Sequence, residues 1–321
     1  MARLSVVLAG EESAGLRALR LIEGSGHRVA AVLTSPPAEG GGGPAAAASL
    51  WRAAEKAGHP TLPSAVLADP ERAPALASRL REEGVDLLLN VHSLHVVHTE
   101  FLRAPRMGSF NLHPGPLPRY AGLDAVSWAL YRGETEYGVT VHEMTERIDA
   151  GGIAFQESFP VGPADTAFTL YARCIREGLA LLERLLETAA ARGRVPVTPQ
   201  DLAGREYFPR RGAPQGGRID WARRARQVHD FVRACDYGPF RSPWGRPRAK
   251  LDAPEGDQEI EVLETALTGR PAQAATGTLR ATPEGARQVA CADEWLELRA
   301  LRLEGERRPP EDALPDGGRL R

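Results

Sequence analysis

Asn111 and His113 are the first residues whose types and spacing predict chemistry. They lie in "SFNLHPGPLPRY" (109–120), where prolines follow at positions 114, 116 and 118. Residues two apart on a β-strand share a face, and the prolines disfavour helix directly after it. The amide N–H₂ can donate to an oxygen that becomes negative, and the imidazole can take or give a proton. The alternative is an ordinary polar strand end with a capped turn.

Asp149 is the second candidate, in "ERIDAGGI" after the apolar run "GVTVHEMT". An aspartate before Ala-Gly-Gly commonly fixes a turn through its own backbone. If it instead approaches His113, its negative charge orients the imidazole and raises the pKa of that ring. Both interpretations stay open at this point.

Two other patterns are weaker. His92, His95 and His98 in "NVHSLHVVH" have no carboxylate or cysteine beside them, whereas metal sites need three or four convergent ligands. They favour a loop that lines a pocket at the carboxyl end of a strand, and we predict no metal. The turn "AGEESAG" (9–15) is neither G-x-G-x-x-G nor a phosphate loop, so it predicts a plain glycine turn and no nicotinamide dinucleotide.

The elements that must position these residues alternate between strand and helix. Apolar runs predict strands at 4–10, 27–35, 85–93, 108–113, 137–145 and 152–161. Helical spacing predicts helices at 13–26, 44–60, 71–84, 122–134 and 166–192. This alternation is typical of an α/β fold with a Rossmann-like, mostly parallel sheet. The low-complexity stretch 38–49 predicts a mobile loop tip.

The amino-acid composition of the chain changes near residue 193. Residues 193–218 are rich in Pro, Gly and Arg, as in a surface linker. A short helix pattern follows at 220–235, and strand-like pieces from 258 onward predict a small OB-like β-barrel. We therefore predict a catalytic domain over 1–193, a linker over 194–215 and a C-terminal helix-plus-barrel domain over 216–321.

Composition limits the functional class. The 321 residues are 42% hydrophobic and 26% charged, as in globular proteins with a real core. The formal net charge of −2 gives no general attraction to nucleic acid or to a membrane. The three cysteines are scattered, and neither a signal peptide nor a membrane-spanning run is evident. We expect a cytoplasmic protein, and the sequence leaves a homo-oligomer open.

At these residues the chain resembles the folate-dependent formyltransferase family, which includes methionyl-tRNA formyltransferase, glycinamide ribonucleotide formyltransferase, sugar N-formyltransferases and peptide-synthetase formylation domains. The signature is "FNLHPGPLPRYAG" (110–122), then "GETEYGVTVHEMTERIDAGGI" (133–153) and the following long helix. "GGRIDW" (216–221) and "GTLRATPEGARQVAC" (277–291) resemble the C-terminal part of longer members. The resemblance covers nearly the whole chain.

The resemblance implies transfer of a formyl group from the co-substrate N10-formyltetrahydrofolate to a primary amine. The family's catalytic asparagine, histidine and aspartate fall on Asn111, His113 and Asp149. The resemblance also implies that folate binds along three segments, whose members are His95, Val96 and Val97; Gly115, Pro116, Leu117 and Pro118; and Thr145, Glu146, Arg147, Ile148 and Asp149.

The amine acceptor is the open question. Residues 35–50 contain no Lys or Arg, which argues against the transfer-RNA acceptor that a basic insertion here would bind. Residues 205–250 hold twelve Lys/Arg against four acids, either to bind a phosphate or as a solvated surface. "ACDYGPFRSPWGRPRA" (234–249) resembles the peptide-synthetase formylation domains; its Tyr237, Phe240 and Trp244 either pack the domains together or border the acceptor cleft.

We therefore favour a small-molecule or carrier-bound aminoacyl acceptor, as in natural-product tailoring. A nucleotide-linked amino sugar comes next, and initiator transfer RNA third. A folate hydrolase or a folate binder without transfer activity remains the alternative from another class.

Overall fold

A computed structural model describes residues 2–37, 49–93, 95–210, 212–252 and 256–321. The loop tip predicted at 38–49 lies, apart from Ser49, outside the described residues. Contacts divide the chain into two compact units. The first comprises Met1–Gly122, Tyr137–Phe159 and Arg173–Tyr207, and the second comprises Leu123–Glu136, Pro160–Ala172 and Phe208–Arg321. The domain boundaries proposed from sequence stay a prediction.

A seven-stranded sheet forms the first unit, in the order β3-β2-β1-β4-β5-β7-β8. Neighbours from β3 to β5 pair in parallel, and β7 runs antiparallel to β5. The first eight strands of the chain are β1 Ser5–Gly10, β2 Arg28–Thr34, β3 Thr61–Pro63, β4 Leu87–Val91, β5 Ser109–His113, the two-residue β6 Ala121–Gly122, β7 Glu136–Glu143 and β8 Ile153–Pro160.

The helices follow the predicted alternation with the strands. In the part of the chain that the structure describes they are Glu12–Gly24, Leu50–Lys56, Arg72–Glu82, Thr99–Leu102, Ala125–Tyr131, Ala167–Arg192, Ala225–Ala234 and Pro310–Ala313. Of the helix predicted over 44–60, the structure describes residues 49–60, where the helix runs over Leu50–Lys56. The short β3 was not predicted, because three residues that include a proline give no periodic signal.

The core of the first unit fixes the strands that carry the candidate site. Central strands β1, β4 and β5 are buried along nearly their whole length, as in sheets covered on both faces. Leu112 of β5 lies against Gly178 of the long helix, where a Cβ atom would collide with the leucine side chain. This close approach anchors β5 between Asn111 and His113.

The second unit is built on an antiparallel sheet in the order β10-β11-β14-β13-β12, with β15 paired to β14. The remaining strands are β9 Tyr207–Phe208, β10 Arg248–Leu251, β11 Gln258–Pro271, β12 Leu279–Ala281, β13 Arg287–Ala290, β14 Glu294–Leu303 and β15 Glu306–Arg308. The predicted fold class, a Rossmann-like mostly parallel sheet with a smaller C-terminal β domain, is confirmed.

Aromatic side chains of the second unit pack on its helix Ala125–Tyr131. Trp128 stacks on Phe208 with ring centroids 5.1 Å apart, and Trp244 meets Trp128 edge-on at 4.8 Å. Trp244 Nε1 also donates to Asp124 (3.1 Å), and the Tyr237 hydroxyl is 3.0 Å from Ser127 Oγ. Trp244 and Tyr237, singled out from sequence, therefore belong to the packing of this unit. No described helix is both long enough and apolar enough to cross a membrane.

Candidate active site

The structure brings Asn111, His113 and Asp149 together beside β5, an interior strand of the sheet of the first unit. β5 pairs with β7 in a register that sets Asn111 opposite His142 and His113 opposite Thr140. His113 Nδ1 lies 3.7 Å from Asp149 Oδ2, and Asn111 Nδ2 lies 3.2 Å from His142 Nε2. His142 Nε2 in turn lies 3.3 Å from Asp149 Oδ1. The three predicted residues thus form one cluster, with His142 as a fourth member.

His113 is almost wholly buried, with 4% of its surface exposed. Its Nε2 is 2.8 Å from the carbonyl oxygen of Tyr120, which can only accept, so Nε2 carries a hydrogen. Burial lowers the pKa of His113, and the negative charge of Asp149 opposes that shift without reversing it. The expected rise in the pKa is therefore overcome by desolvation, and the imidazole is neutral at pH 7.

Asp149 is buried and stays ionised. Burial by itself would raise its pKa, but His113, the hydrogen bond with His142 and the Gly122 amide together hold the pKa well below its ordinary range. The Gly122 N–H donates to Oδ2 at 2.8 Å. Asp149 has φ +52°, a left-handed conformation that costs free energy in a residue with a side chain. The aspartate is thus both a turn residue and a partner of His113.

His142 was missed in the sequence interpretation, although it lies seven residues before Asp149 in the same motif. Its Nδ1 is 2.8 Å from the carbonyl oxygen of Glu143, so Nδ1 carries a hydrogen. Its Nε2 lies between Asn111 Nδ2 (3.2 Å) and Asp149 Oδ1 (3.3 Å), so the ring links the amide and the carboxylate. The amide N–H₂ of Asn111 can donate a hydrogen to a substrate oxygen.

The loop after His113 is tied to the sheet. Three side chains from β7 and β8 donate to its carbonyl oxygens: Tyr137 Oη to Pro114 (2.8 Å), Thr140 Oγ1 to Gly115 (2.7 Å) and Gln156 Nε2 to Leu117 (2.8 Å). A Cβ atom on Gly115 would come within 2.8 Å of His113 Nε2. The predicted folate-binding residues 115–118 therefore form a fixed wall beside His113, and Leu117 is buried within it.

The other predicted folate-binding residues lie on two loops, one after β4 and one after β7. Val96 is 66% exposed and Ile148 is 42% exposed, so each loop presents an apolar side chain outward. Thr145 Oγ1 donates to the Arg147 carbonyl oxygen, and Arg103 pairs with Glu146 at 2.8 Å. Val97 instead packs against the core of the sheet, and His95 is half-buried. Their part in folate binding stays a prediction.

The three spaced histidines follow β4 at its carboxyl end, as expected. His92 has φ +64°, and His98 caps the helix that begins at Thr99 by accepting from the Glu100 amide. Over the described ranges no group of three or more His, Cys, Asp or Glu side chains forms a possible metal site. The prediction that the protein uses no metal stays a prediction.

Several arginines of the basic segment 205–250 contact other residues of the protein. Arg223 donates to the Tyr131 hydroxyl (2.6 Å), and Arg233 forms a buried pair with Asp230 (2.7 Å). Other described pairs join Arg246 to Asp236 at 3.1 Å and Arg248 to Glu259 at 3.4 Å. Phosphate binding by this segment stays a prediction.

Gly151 sets the position of the loop that carries Asp149. A Cβ atom here would overlap the Glu143 carbonyl oxygen, a backbone atom that cannot rotate away. We expect Gly151→Ala to lower the free energy of unfolding by about 1–3 kcal/mol, measured by urea denaturation. Gly24→Ala is the matched control, because nothing lies within 4 Å of its Cβ position. Equal unfolding midpoints for the two variants would contradict this account of the loop.

Sequence profiles of two families match the chain. The formyl transferase profile matches residues 3–186, which contain all four members of the cluster. The profile of the formyl transferase C-terminal domain matches residues 213–313.

Solved structures of similar fold include an N-formyltransferase from Helicobacter canadensis in complex with folinic acid and dTDP-3-aminofucose. It is 18% identical, with a TM-score of 0.67, over 92% of this chain and 98% of that one. Glycinamide ribonucleotide transformylase 1 from Symbiobacterium toebii is 26% identical over 61% of this chain and 94% of its own, with a TM-score of 0.50. HypX from Aquifex aeolicus, in complex with tetrahydrofolic acid, is 18% identical over 98% of this chain and 47% of its own, with a TM-score of 0.57.

Proposed function

The chain belongs to the formyl transferase family, and from that premise we propose that it transfers the formyl group of N10-formyltetrahydrofolate to a primary amine. The observation that carries the proposal is the cluster of Asn111, His113 and Asp149 beside a fixed loop. A neutral imidazole, an oriented amide and a buried carboxylate are the groups that acyl transfer to an amine needs.

His113 acts as the base in this proposal. An alkyl ammonium group titrates near pH ~10, so at neutral pH the amine must lose a proton before it can attack. His113 takes that proton at Nδ1, the ring nitrogen that carries no hydrogen in the neutral imidazole, directly or through water. The imidazolium then has Nε2–H on the Tyr120 carbonyl oxygen and Nδ1–H facing Asp149, so both N–H groups point at oxygen acceptors. Asp149 thus stabilises the charged ring that forms during the reaction.

Asn111 acts on the oxygen that becomes negative when the amine attacks the formyl carbon. Its amide nitrogen is held 3.2 Å from His142 Nε2, and an amide N–H is donated to that oxygen. An oriented donor of this kind stabilises a transition state by about 3 kcal/mol. His142 is a positioning residue here, because it acts through Asn111.

The residues present fit a folate. A flat pteridine ring binds best against apolar side chains and a rigid backbone. Val96 and Ile148 supply exposed apolar side chains, and the hydrogen-bonded loop 115–118 supplies the rigid backbone. In this proposal the folate lies along 95–97, 115–118 and 145–149 with its formyl group toward Asn111 and His113. When bound, it supplies the one-carbon group, and the residues above supply proton transfer and charge stabilisation.

For the acceptor we propose a small-molecule or carrier-bound amine rather than transfer RNA. The stretch 35–50 contains no lysine or arginine and so offers a polyanion no cations. A nucleotide-linked amino sugar is the second candidate, favoured by the whole-chain likeness to a sugar-nucleotide N-formyltransferase.

The test is incubation of the purified protein with N10-formyltetrahydrofolate, followed by mass spectrometry of the amine and of formate. Three sets of reactions receive small aminoacyl amines, a dTDP-amino sugar, or no amine. Formylated amine is the expected product, and the set that gives it assigns the acceptor class. Formate release that is independent of amine would instead indicate a hydrolase, and no turnover in any set would indicate a binder.

Asn111→Ala is expected to lower kcat by about 10²–10³-fold, because the oriented amide donor is lost. The KM for the folate should change little, since the amide acts on charge that develops only in the transition state. Steady-state kinetics of the variant check this, with Asn90→Ala as a second asparagine on the neighbouring strand β4. An Asn111→Ala enzyme that keeps wild-type kcat would contradict the role of the amide.

A further inference from the structure

The segment after the long helix returns to the candidate site. We define residues 197–206 as the return segment; all belong to the first compact unit. Thr198 and Ile153 exchange two backbone hydrogen bonds of 2.8 Å, so the segment lies along the loop that carries Asp149. A Cβ atom on Gly152 would come within 2.8 Å of the Val197 side chain and 3.3 Å of the Thr198 carbonyl oxygen, so the segment packs closely on this loop.

Gln200 and Arg205 bind the backbone around Asp149 directly. Gln200 Nε2 donates to the carbonyl oxygens of Asp149 (3.1 Å) and Gly151 (2.6 Å). Arg205 Nη2 donates to the carbonyl oxygen of Ile148 at 2.9 Å. These bonds fix three carbonyl oxygens between residues 148 and 151. Asp149, which lies in this stretch, has the energetically unfavourable φ of +52°.

The other end of the return segment holds the second partner of His113. The Glu206 amide donates to the Pro118 carbonyl oxygen (3.2 Å), and the Glu206 carbonyl oxygen accepts from the Ala121 amide (2.9 Å). These two bonds bracket Tyr120, whose own carbonyl oxygen accepts from His113 Nε2. Both oxygens that face His113 therefore sit on loops bound by the same ten residues.

Buried polar atoms of Gln200 and Arg205 indicate that both side chains are held in place. Gln200 Oε1 and Arg205 Nε are buried and have no hydrogen-bond partner within the described ranges. Such atoms oppose burial, so the bonds made by the other end of each side chain must hold it in place. Arg205 also lies over the Tyr207 ring, 4.8 Å from its centroid.

From this geometry we propose that Gln200 and Arg205 are positioning residues that hold Asp149 against His113, so that the return segment is part of the catalytic apparatus. The inference rests on the proposed function, because it assigns a step of that reaction to residues outside the cluster. Neither side chain reaches His113 or Asn111 by any described bond, and each acts through the backbone of the Asp149 loop.

Gln200→Met is the first test, because methionine keeps the length of the side chain and removes the N–H donors. We expect kcat to fall about 10–100-fold while the folate KM changes little, since small misplacements of catalytic groups have effects of that order. Gln273→Met, at an exposed position of the second unit, is the matched control. Arg205→Met should behave like Gln200→Met, and Arg205→Lys should recover part of the lost kcat because its ammonium group can still donate.

A readout that needs no substrate separates this proposal from the proposed function. Hydrogen–deuterium exchange should become faster at residues 148–153 in Gln200→Met, and NMR titration should show a lower imidazole pKa for His113 as Asp149 moves away. If both changes occur and the wild type transfers no formyl group, the positioning role is supported and the proposed reaction is overturned. Unchanged exchange and an unchanged imidazole pKa in Gln200→Met would overturn the positioning role, even if the wild type transfers formyl groups.

Discussion

His113→Ala is expected to lower kcat for formyl transfer by about 10²–10⁴-fold, the usual contribution of a positioned general base. Folate affinity should be nearly unchanged, because His113 exposes only 4% of its surface and so offers the folate little contact area. The measurements are single-turnover formyl transfer and folate binding by calorimetry. An amine with a low pKa should be formylated by the variant with a smaller defect, because it needs no base.

His59→Ala is the matched control for this variant. His59 is another partly buried histidine and pairs with Glu23 at 2.8 Å on the surface. Contacts this close to solvent contribute about 0–1 kcal/mol, so the control should keep wild-type kinetics. A His113→Ala enzyme with near-normal turnover would show that another group takes the proton.

The sequence predicted two members of the cluster from local spacing alone. Asn111 and His113 are two apart on one strand, and the structure places them on β5 as expected. Asp149 joins them because β7 pairs with β5 and the following loop turns back at Gly151. The register of β7 also brings in His142, which periodicity alone could not single out from other polar residues on an alternating strand.

The return segment was beyond sequence reasoning for a different reason. Residues 194–215 have the Pro, Gly and Arg content of a linker, and irregular backbone has no period from which contacts follow. Its bonds to the Asp149 loop connect residues about 50 positions apart, such as Gln200 and Gly151. The protonation of His113 was also out of reach, since it depends on burial that outweighs the charge of Asp149.

Asp149→Asn is expected to reduce kcat by up to about 10⁴-fold, the order seen when the carboxylate that orients a catalytic histidine is replaced by an amide. Asparagine keeps the size of the side chain and tolerates the left-handed φ, so the loop should stay in place. What is lost is the negative charge that stabilises the imidazolium. Asp236→Asn, in the second unit, is the charge-matched control.

The pH dependence tests this role independently of the size of the loss. Because burial lowers the pKa of His113, the acid limb of kcat/KM in the wild type should lie below the ordinary histidine value of about 6.5. Asp149 raises the pKa of that ring, so Asp149→Asn should move the acid limb to still lower pH while the plateau falls. An acid limb that stays in place would contradict the contact between Asp149 and His113.

The pH dependence of protein stability should test the ionisation of Asp149 independently of catalysis. The pKa of Asp149 is lower in the folded protein than the unfolded value of about 3.9, so the unfolded chain binds the proton more readily. The stability contribution of Asp149 is therefore complete above that value and is lost as the pH falls through the folded pKa. Asp149→Asn should flatten the decline of stability in this acid range, measured by urea denaturation at stepped pH. An equally steep decline in the variant would mean that other carboxylates govern acid unfolding and that Asp149 is not held ionised by His113 and His142.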